Sequence, residues 1–205
     1  MLDVGCGRGI AVKSLRSRGF DCSGVELAGA CPLAGVGDFI RTGISAADLP
    51  AAERARIGVL LFLDVIEHFA DPAGFLRTVL EGFPRVTCVV ITVPARPELW
   101  SNYDDFYGHH KRYTLRMVED LAGELGWQTA WRSYFFRMPY LAAKFILLRG
   151  QPRPLGMQGP RRRWKWLHGV IAWLSVFEYL LLPRGLPGTS IIACLLPPRR
   201  AGAGQ

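Results

Sequence analysis

The sequence predicts an α/β protein built on a buried, mainly parallel sheet. Residues 1–9 read as the end of a strand and a glycine-rich turn, and apolar positions at helical spacing follow them. Residues 57–63 are predominantly apolar, which is typical of a strand buried on both faces, and Pro72 then begins a helix with an apolar face. Residues 86–93 form another apolar strand. This alternation of strands and helices indicates an α/β sheet.

Length and composition indicate one domain with an appendage. The chain has 205 residues, of which 50% are hydrophobic, so it can bury one good core. Much of the basic excess behind the formal charge of +8 lies after residue 149, and nucleic acid, an anionic membrane surface or solubility would each explain it. The five cysteines include no CxxC pair, which favours reduced thiols in a cytosolic protein over a disulfide framework or a zinc site.

The first turn, residues 5–9, differs from a dinucleotide-binding fingerprint because its third glycine comes one residue early. Asp3 also lies two residues before the first glycine. A carboxylate there would repel a pyrophosphate, whereas it would suit a ligand with an amino group or a positive centre. A glycine turn that merely links a strand to a helix is the structural alternative.

The run Leu-Asp-Val-Gly-Cys-Gly-Arg-Gly resembles the first motif of class I S-adenosylmethionine (SAM) dependent methyltransferases. In that family the loop holds the methionine end of SAM, so the resemblance implies SAM as cofactor. The residues implied at this contact are Asp3, Gly5, Cys6, Gly7 and Gly9, with Cys6 as a small packing residue. Family members usually have a helix ahead of this strand. We therefore expect a start site assigned too far downstream or a trimmed domain. We also expect no signal peptide, because the predicted strand follows Met1 directly.

Glu26 lies about twenty residues beyond the first turn, where an acid at the end of the second strand reaches ribose hydroxyls. Leu27 belongs to the same predicted contact. Related methyltransferases often hold the adenine amino group with an acid, but Ser45 stands there, so Ser45 and Ala46 would contact the ring through backbone groups. A surface glutamate and a plain loop are the structural alternatives. The fourth strand completes the predicted SAM site with Phe62, Leu63 and Asp64.

Residues 64–72 read Asp-Val-Ile-Glu-His-Phe-Ala-Asp-Pro, which is similar to a block in many small-molecule methyltransferases. Enzymes that methylate exocyclic amines of DNA bases would carry Asn/Asp-Pro-Pro-Tyr/Phe here. That motif is missing, and we expect no nucleic-acid partner.

Asp64, Glu67 and His68 fall at i, i+3 and i+4, so they would converge on one helical turn. In some ubiquinone-pathway O-methyltransferases, acids and a histidine at these positions bind a divalent metal, and the same set could do so here. His68 alone could be a general base. Alternatively, Glu67 and His68 only cap and hydrogen-bond the following loop. We favour this structural role and expect no divalent metal.

The loop of residues 99–114 is long and rich in aromatic side chains, which argues for function and against disorder. In a parallel sheet it would lie at the carboxyl edge beside the cofactor. Its last part resembles the family's His-x-Arg-(Arg/His)-(Phe/Tyr)-(Thr/Ser) segment. Tyr107, His109 and Tyr113 are the predicted acceptor contacts, and His109 joins His68 as a candidate base. Packing of the aromatic side chains beneath the next helix is the alternative.

The resemblance also implies a Rossmann-like, seven-stranded sheet of order 3-2-1-4-5-7-6, with strand 7 antiparallel and helices on both faces. Strands six and seven are predicted at residues 128–136 and 189–196, with a helical insertion at 137–187 between them. Residues 1–197 would then form one SAM-binding domain, followed by a basic, disordered tail at 198–205.

The insertion contains two apolar stretches, and the second is shorter than the ~20 residues that span a bilayer. An arginine cluster before two tryptophans suits residues 161–182 to peripheral contact with an anionic membrane surface. A hydrophobic lid on the domain is the alternative that we favour, and a lid would still admit a lipid-like acceptor.

The expected function is SAM-dependent methyl transfer to a small-molecule or lipid-like acceptor, with oxygen slightly favoured as the nucleophile. A non-catalytic module of the same fold and a membrane-surface scaffold are the alternatives. The expected location is the cytoplasm or the inner face of the membrane. The sequence makes no prediction of the oligomeric state.

Overall fold

A computed structural model describes residues 1–153, 155, 165–183 and 186–197. The strands are β1 Leu2–Val4, β2 Ser23–Glu26, β3 Ile40–Thr42, β4 Val59–Leu63, β5 Cys88–Pro94, β6 Gln128–Phe135 and β7 Ser190–Leu196. The α-helices are α1 Ile10–Arg16, α2 Ala51–Arg54, α3 Pro72–Glu81, α4 Asn102–Tyr107, α5 Leu115–Glu124, α6 Arg137–Leu148 and α7 Lys165–Leu181.

The strands form one seven-stranded sheet in the order β3-β2-β1-β4-β5-β7-β6. The first five pair in parallel, whereas β7 is antiparallel to both β5 and β6. The predicted fold class and strand order are confirmed. β6 ends at Phe135, one residue earlier than predicted, because Phe136 has a φ of 56° and turns the chain into α6.

The core is centred on the inner strands, as their apolar runs predict. Leu60 and Phe62 of β4, Ile91 of β5 and Ile191 of β7 are fully buried. A strand that is covered on both faces needs apolar side chains at successive positions. The Phe62 ring packs edge-on against Phe75, with ring centroids 5.8 Å apart. Phe62 was predicted to contact the cofactor, but its side chain is instead part of this core.

The carboxyl ends of β1, β2 and β4 meet at one edge of the sheet, because these strands are parallel neighbours. The register pairs Val4 with Val25 and Asp3 with Leu61. The loops that follow these strands therefore converge. This edge is where open α/β sheets bind ligands.

The predicted insertion forms α6 and α7 between β6 and β7. The carboxyl end of α7 lies against the amino end of α6, because the Glu178 carboxylate accepts hydrogen bonds from the amides of Arg137 and Met138. One face of α6 packs through Tyr140 against Leu99, in the loop after β5. The two helices of the insertion are therefore joined to each other through Glu178, and α6 is anchored to the domain through Leu99.

Within the described ranges, no helix is both long enough and apolar enough to cross a membrane. The predicted arginine cluster at 161–163 and the predicted tail at 198–205 lie outside the described residues.

Candidate active site

The turn after β1 has a backbone conformation that glycine adopts far more readily than other residues. Gly5, Gly7 and Gly9 have φ values of 75°, 53° and 81°. A Cβ on Gly9 would collide with the Ile40 side chain, and one on Gly5 would lie 2.8 Å from a methyl carbon of Val65. The turn is therefore restricted to glycine by its conformation and, at two positions, also by its neighbours.

Glu26, at the end of β2, holds this turn from the opposite side. Its Oε2 accepts a hydrogen bond from the Gly7 amide at 2.7 Å, and its Oε1 accepts one from the Ala28 amide at 2.9 Å. An ionised carboxylate offers about four lone-pair sites, so these two bonds leave capacity for further donors. The geometry is compatible with the predicted acceptance of hydrogen bonds from a ribose diol.

A cavity of about 520 Å³ opens at the carboxyl edge of the sheet. Its volume lies within the range of about 300–1,000 Å³ that is usual for small-molecule sites. The predicted cofactor residues that line it are Gly5, Glu26, Leu27, Ser45, Ala46 and Asp64. Most of the remaining wall is apolar and includes Phe75, Val79 and Phe83, which sequence analysis did not predict. The wall also contains His68.

Two predicted cofactor residues pack behind this wall. Cys6 is buried in an apolar cluster with Val12 and Ile40, and Leu63 packs against the same cluster. Burial raises the pKa of the Cys6 thiol to about 12, so the thiol is neutral at physiological pH. Cys6 is the packing residue that its small size predicts.

Asp3 is buried in β1 and has an unusual carboxyl group. Its Oδ1 is buried without a hydrogen-bond partner among the described residues. Burial, and secondarily the negative charge of Glu26, raise its pKa to about 7. The charged form of buried Asp3, which half-buried Glu26 repels, is stabilised by a positive charge placed beside the two acids. This observation is the structural counterpart of the predicted preference for a cationic ligand.

Asp64 follows β4 with a φ of 56°, a left-handed conformation that aspartate tolerates better than most residues. Its amide donates to the Thr92 carbonyl at 3.0 Å, and its Oδ1 accepts from the Thr92 hydroxyl at 3.1 Å. Burial raises its pKa. These bonds hold Asp64 against β5, and its charge still raises the pKa of the nearby Glu67 and His68 as a minor contribution.

The predicted grouping of Asp64, Glu67 and His68 is therefore wrong in one member. Within the described residues, the acids and histidines close enough to hold a metal are Glu67, His68 and His109, whose ligand atoms all lie within 4.8 Å of one another. Asp64 precedes the 3-10 turn of residues 66–68 and is not a member of this group. Burial raises the pKa of Glu67 to about 8.

A buried acid, Asp104, holds His109 in place. Its Oδ1 accepts hydrogen bonds from His109 Nδ1 at 2.9 Å and from Arg112 Nε at 2.8 Å. Burial opposes ionisation of Asp104, but the hydrogen bonds from Arg112 and His109 outweigh it and lower the pKa of Asp104 below its usual range. His109 Nδ1 and Arg112 Nε both donate to the same oxygen of the ionised Asp104 carboxylate. The hydrogen bond to this buried oxygen fixes the orientation of the imidazole ring.

The ring of His109 lies within an aromatic cluster on the same side of the sheet. It meets His68 edge-on at a centroid distance of 5.0 Å, and Tyr107 lies 6.4 Å from it. Tyr103 stacks at a tilt on Tyr107, 4.5 Å away. The structure thus brings the two predicted bases together with the predicted acceptor residue Tyr107.

Tyr113 does not join this cluster. It is 1% exposed, and its hydroxyl donates to the carbonyl of Ile66 at 3.5 Å. The predicted acceptor contact by Tyr113 does not fit this burial, because its side chain has no free surface to offer. Its role in the structure is to support the turn that carries His68.

Sequence analysis missed Asp104 and Arg112 as members of the site. A local signal for Asp104 exists: Ser101 and Asp104 form a capping box at the start of α4, with the Ser101 amide 3.0 Å from Oδ2. The capping box explains Oδ2 alone. Oδ1 bonds to His109 and Arg112, which lie beyond the end of that helix, and no local pattern predicts those contacts.

Residues 1–130 match a protein family described as a methyltransferase domain. The match covers more than half of the chain and includes the turn, the cavity and the loop that carries His109. The chain belongs to this methyltransferase family. Its cofactor is SAM, as the resemblance of the first turn implies.

Solved structures of other methyltransferases share the fold. A SAM-dependent methyltransferase from Archaeoglobus fulgidus has a TM-score of 0.53 at 14% identity, over 95% of this chain and 84% of that one. The 1,6-didemethyltoxoflavin-N1-methyltransferase of Burkholderia thailandensis has a TM-score of 0.54 at 14% identity, over 96% and 69%. At such identities the likeness concerns the fold. No match was found among proteins of curated function.

The residues of this methyltransferase fit SAM on observations independent of the family. SAM carries an ammonium group and a sulfonium cation. The Asp3 carboxyl, whose Oδ1 has no hydrogen-bond partner among the described residues, lies near Glu26 and suits a positive charge. Glycines at the turn allow close approach of a ligand to the backbone. The apolar cavity wall suits an adenine ring. Asp3 and the turn would hold the methionine end, and Glu26 the ribose.

We expect the affinity of the methyltransferase for S-adenosylhomocysteine (SAH) to fall as the pH drops below 7. With a pKa of about 7, about nine-tenths of the Asp3 carboxyls are protonated at pH 6, and a neutral carboxyl attracts the SAH ammonium group weakly. Calorimetric titration should show binding about tenfold weaker at pH 6 than at pH 8. Asp3→Asn should bind SAH weakly, with an affinity that does not change between pH 6 and pH 8. Asp38→Asn, at an exposed acid, should keep the pH dependence of the wild type. An unchanged slope in Asp3→Asn would exclude Asp3 as the titrating group.

Proposed function

We propose that this methyltransferase transfers a methyl group from SAM to a hydroxyl of a small-molecule or lipid-like acceptor. The observation that carries the proposal is the position of His109. It is hydrogen-bonded to buried Asp104 and lies against His68, which lines the cavity at the carboxyl edge. A hydroxyl is a poor nucleophile until it loses its proton, and an oriented histidine can accept that proton.

The hydrogen bond to Asp104 determines which nitrogen of His109 can act. In neutral His109, Nδ1–H donates to Asp104 Oδ1, so Nε2 is left as an acceptor. When Nε2 takes a proton from the acceptor hydroxyl, the ring becomes a cation beside the ionised carboxylate of Asp104. That carboxylate is already paired with Arg112, which keeps it ionised. His109 is therefore the general base in this proposal, and Asp104 is its positioning residue.

His68 is the second candidate base. Burial lowers its pKa, and the nearby His109 lowers it further, so the ring is neutral at pH 7. A neutral ring can accept a proton or a hydrogen bond from the acceptor. We assign it the contact that positions the acceptor hydroxyl, because it lines the cavity and lies against His109.

The remaining chemistry is positioning. The bound cofactor supplies an activated methyl group, so the protein needs to hold the nucleophile in line with that group and exclude water. Effective positioning lowers barriers by about 7–11 kcal/mol in favourable systems. The residues available for this work are Asp3 and Glu26 on the cofactor side, and His68, Tyr107 and His109 on the acceptor side.

We propose no divalent metal, although Glu67, His68 and His109 lie close together. The pKa of Glu67 is raised to about 8, and a protonated carboxyl is a poor ligand for a cation. His109 already uses Nδ1 in its bond to Asp104. The group is better suited to proton transfer than to holding an ion.

An assay of acceptor classes tests the proposal. We expect label from methyl-labelled SAM to enter a hydroxyl-bearing compound when the protein is incubated with fractionated cell extract, soluble against membrane. The product should resist treatments that cleave methyl esters, as a methyl ether does. Label on nitrogen or carbon would contradict oxygen as the nucleophile. SAH binding without any transfer to either fraction would favour a non-catalytic module.

A further inference from the structure

Helix α6 exposes an apolar stripe. Met138, Leu141, Phe145 and Leu148 recur at helical spacing and are between 53% and 78% exposed. The opposite side of the helix is occupied, because Tyr140 and Ala143 are buried against Leu99. The stripe is therefore not the face that attaches α6 to the domain.

Helix α7 has a similar stripe. The exposed apolar residues that recur along it at spacings of three, four and seven are Trp166, Val170, Trp173, Leu174, Val176, Phe177, Leu180 and Leu181. Trp173 and Phe177 stack on each other 5.3 Å apart, and both remain exposed. Exposed stripes on both helices do not match the predicted lid, which would turn its apolar faces toward the domain.

The charged residues of the insertion indicate what kind of surface binds the apolar stripes. Residues 137–187 contain a single acid, Glu178, which is buried and bonded to the start of α6. The basic residues of the same segment are Arg137, Lys144, Arg149, Arg153, Arg161, Arg162, Arg163, Lys165 and Arg184. A second copy of this chain would bring like charges together, whereas an anionic bilayer pairs with them.

We propose that α6 and α7 form a membrane-binding surface that lies in the headgroup region of an anionic bilayer. Helices with apolar stripes, exposed tryptophan and flanking cations bind in the plane of such an interface. Lys144 on α6 and Arg149, directly after its last residue, are exposed, as this orientation requires. The inference does not depend on the acceptor's chemistry.

The segment that follows α6 is joined to the part of the chain that carries His109. Asn102, at the start of α4, donates to the Arg153 carbonyl at 3.0 Å and accepts from the Arg153 amide at 2.9 Å. The Arg153 guanidinium lies over the Tyr103 ring, 4.8 Å from its centroid. A bilayer held by α6 and α7 would therefore lie beside the aromatic cluster rather than at the far side of the sheet.

Vesicle binding of the full chain tests the proposal. We expect co-sedimentation with vesicles of phosphatidylcholine and phosphatidylglycerol, weaker binding to phosphatidylcholine alone, and a loss with added salt. The double variant Trp173→Ser/Phe177→Ser should lower the partition coefficient about tenfold or more. The matched control is Ile10→Ser/Phe20→Ser, which removes two exposed apolar side chains of the α1 region and should bind vesicles as the wild type does.

Circular dichroism and SAH titration check that each variant is folded. No binding to anionic vesicles would overturn the proposal, as would equal losses in both double variants. Light scattering measures whether the protein is a monomer or a dimer. A dimer that dissociates in Trp173→Ser/Phe177→Ser, without vesicle binding by the wild type, would assign the stripes to a second copy of the chain.

Discussion

Replacing His109 with alanine is expected to lower kcat by about 10²–10⁴-fold, the usual contribution of a general base. SAH affinity should stay within about twofold of the wild type, because His109 is not among the residues proposed to hold the cofactor. The measurement is turnover with the acceptor found in the extract assay, together with calorimetric SAH titration. His110→Ala is the matched control, since this neighbouring histidine is exposed and does not belong to the group formed by Glu67, His68 and His109.

Two further readouts separate a base from a structural side chain. Added imidazole should restore part of the turnover of His109→Ala, since free base can occupy the vacated space, and it should not affect His110→Ala. Wild-type turnover should be unchanged by EDTA if Glu67, His68 and His109 move a proton and hold no ion. Full activity of His109→Ala combined with loss in His68→Ala would transfer the role of base to His68.

Most strands and helices could be predicted because their signals are local or periodic, whereas the strand order was implied only by the resemblance to class I methyltransferases, and the predicted loop at 99–114 contains α4. Residues 57–63 and 86–93 are predominantly apolar, and short runs of this kind, rich in β-branched residues at 86–93, favour strands that are buried on both faces of a sheet. The glycine turn and Glu26 mark the ends of β1 and β2, and neighbouring parallel strands bring those ends together. The predicted bounds of these strands differ by one or two residues from the structure: β4 and β5 begin two residues later than predicted, β6 ends one residue earlier and β7 begins one residue later.

The side-chain contacts of the site were less predictable because they join distant segments. The i, i+3, i+4 pattern of Asp64, Glu67 and His68 assumes one continuous helical turn. The backbone of Asp64 is instead in the left-handed region, and its carboxylate accepts a hydrogen bond from Thr92 on β5. His109 takes its place in the cluster. Its position depends on a loop that no periodic pattern describes.

Burial on the cavity side could not be read from residue type alone. Tyr113 matches the family's motif and has a hydroxyl suited to ligand contact. In the structure, however, that hydroxyl is buried and donates a hydrogen bond to the Ile66 carbonyl. The apolar stripes of α6 and α7 show the converse case. Apolar spacing predicts a packed face, but the charge balance of the whole segment indicates what the face meets.

Glu26→Ala is expected to weaken SAH binding by about 10–100-fold. One charge-assisted hydrogen bond contributes about 1.5–3 kcal/mol, and this carboxylate is proposed to accept from the ribose diol while it also holds the Gly7 amide. The variant therefore loses a ligand contact and loosens the turn. Glu26→Gln should fall between alanine and wild type, because it keeps a neutral acceptor. Calorimetric titration of all three proteins at pH 8 measures the effect.

The choice of control determines what this experiment can decide. Glu124→Ala removes an acid of the same type from the exposed surface of α5, outside the cavity, and should leave SAH affinity unchanged. Gly7→Val should reproduce the loss without touching Glu26, because valine strongly disfavours the φ of 53° that the turn requires. If Glu26→Ala and Gly7→Val both bind SAH as the wild type does, the ligand does not lie between the turn and β2. If only Gly7→Val fails, the turn holds SAH and the ribose contact belongs to another residue.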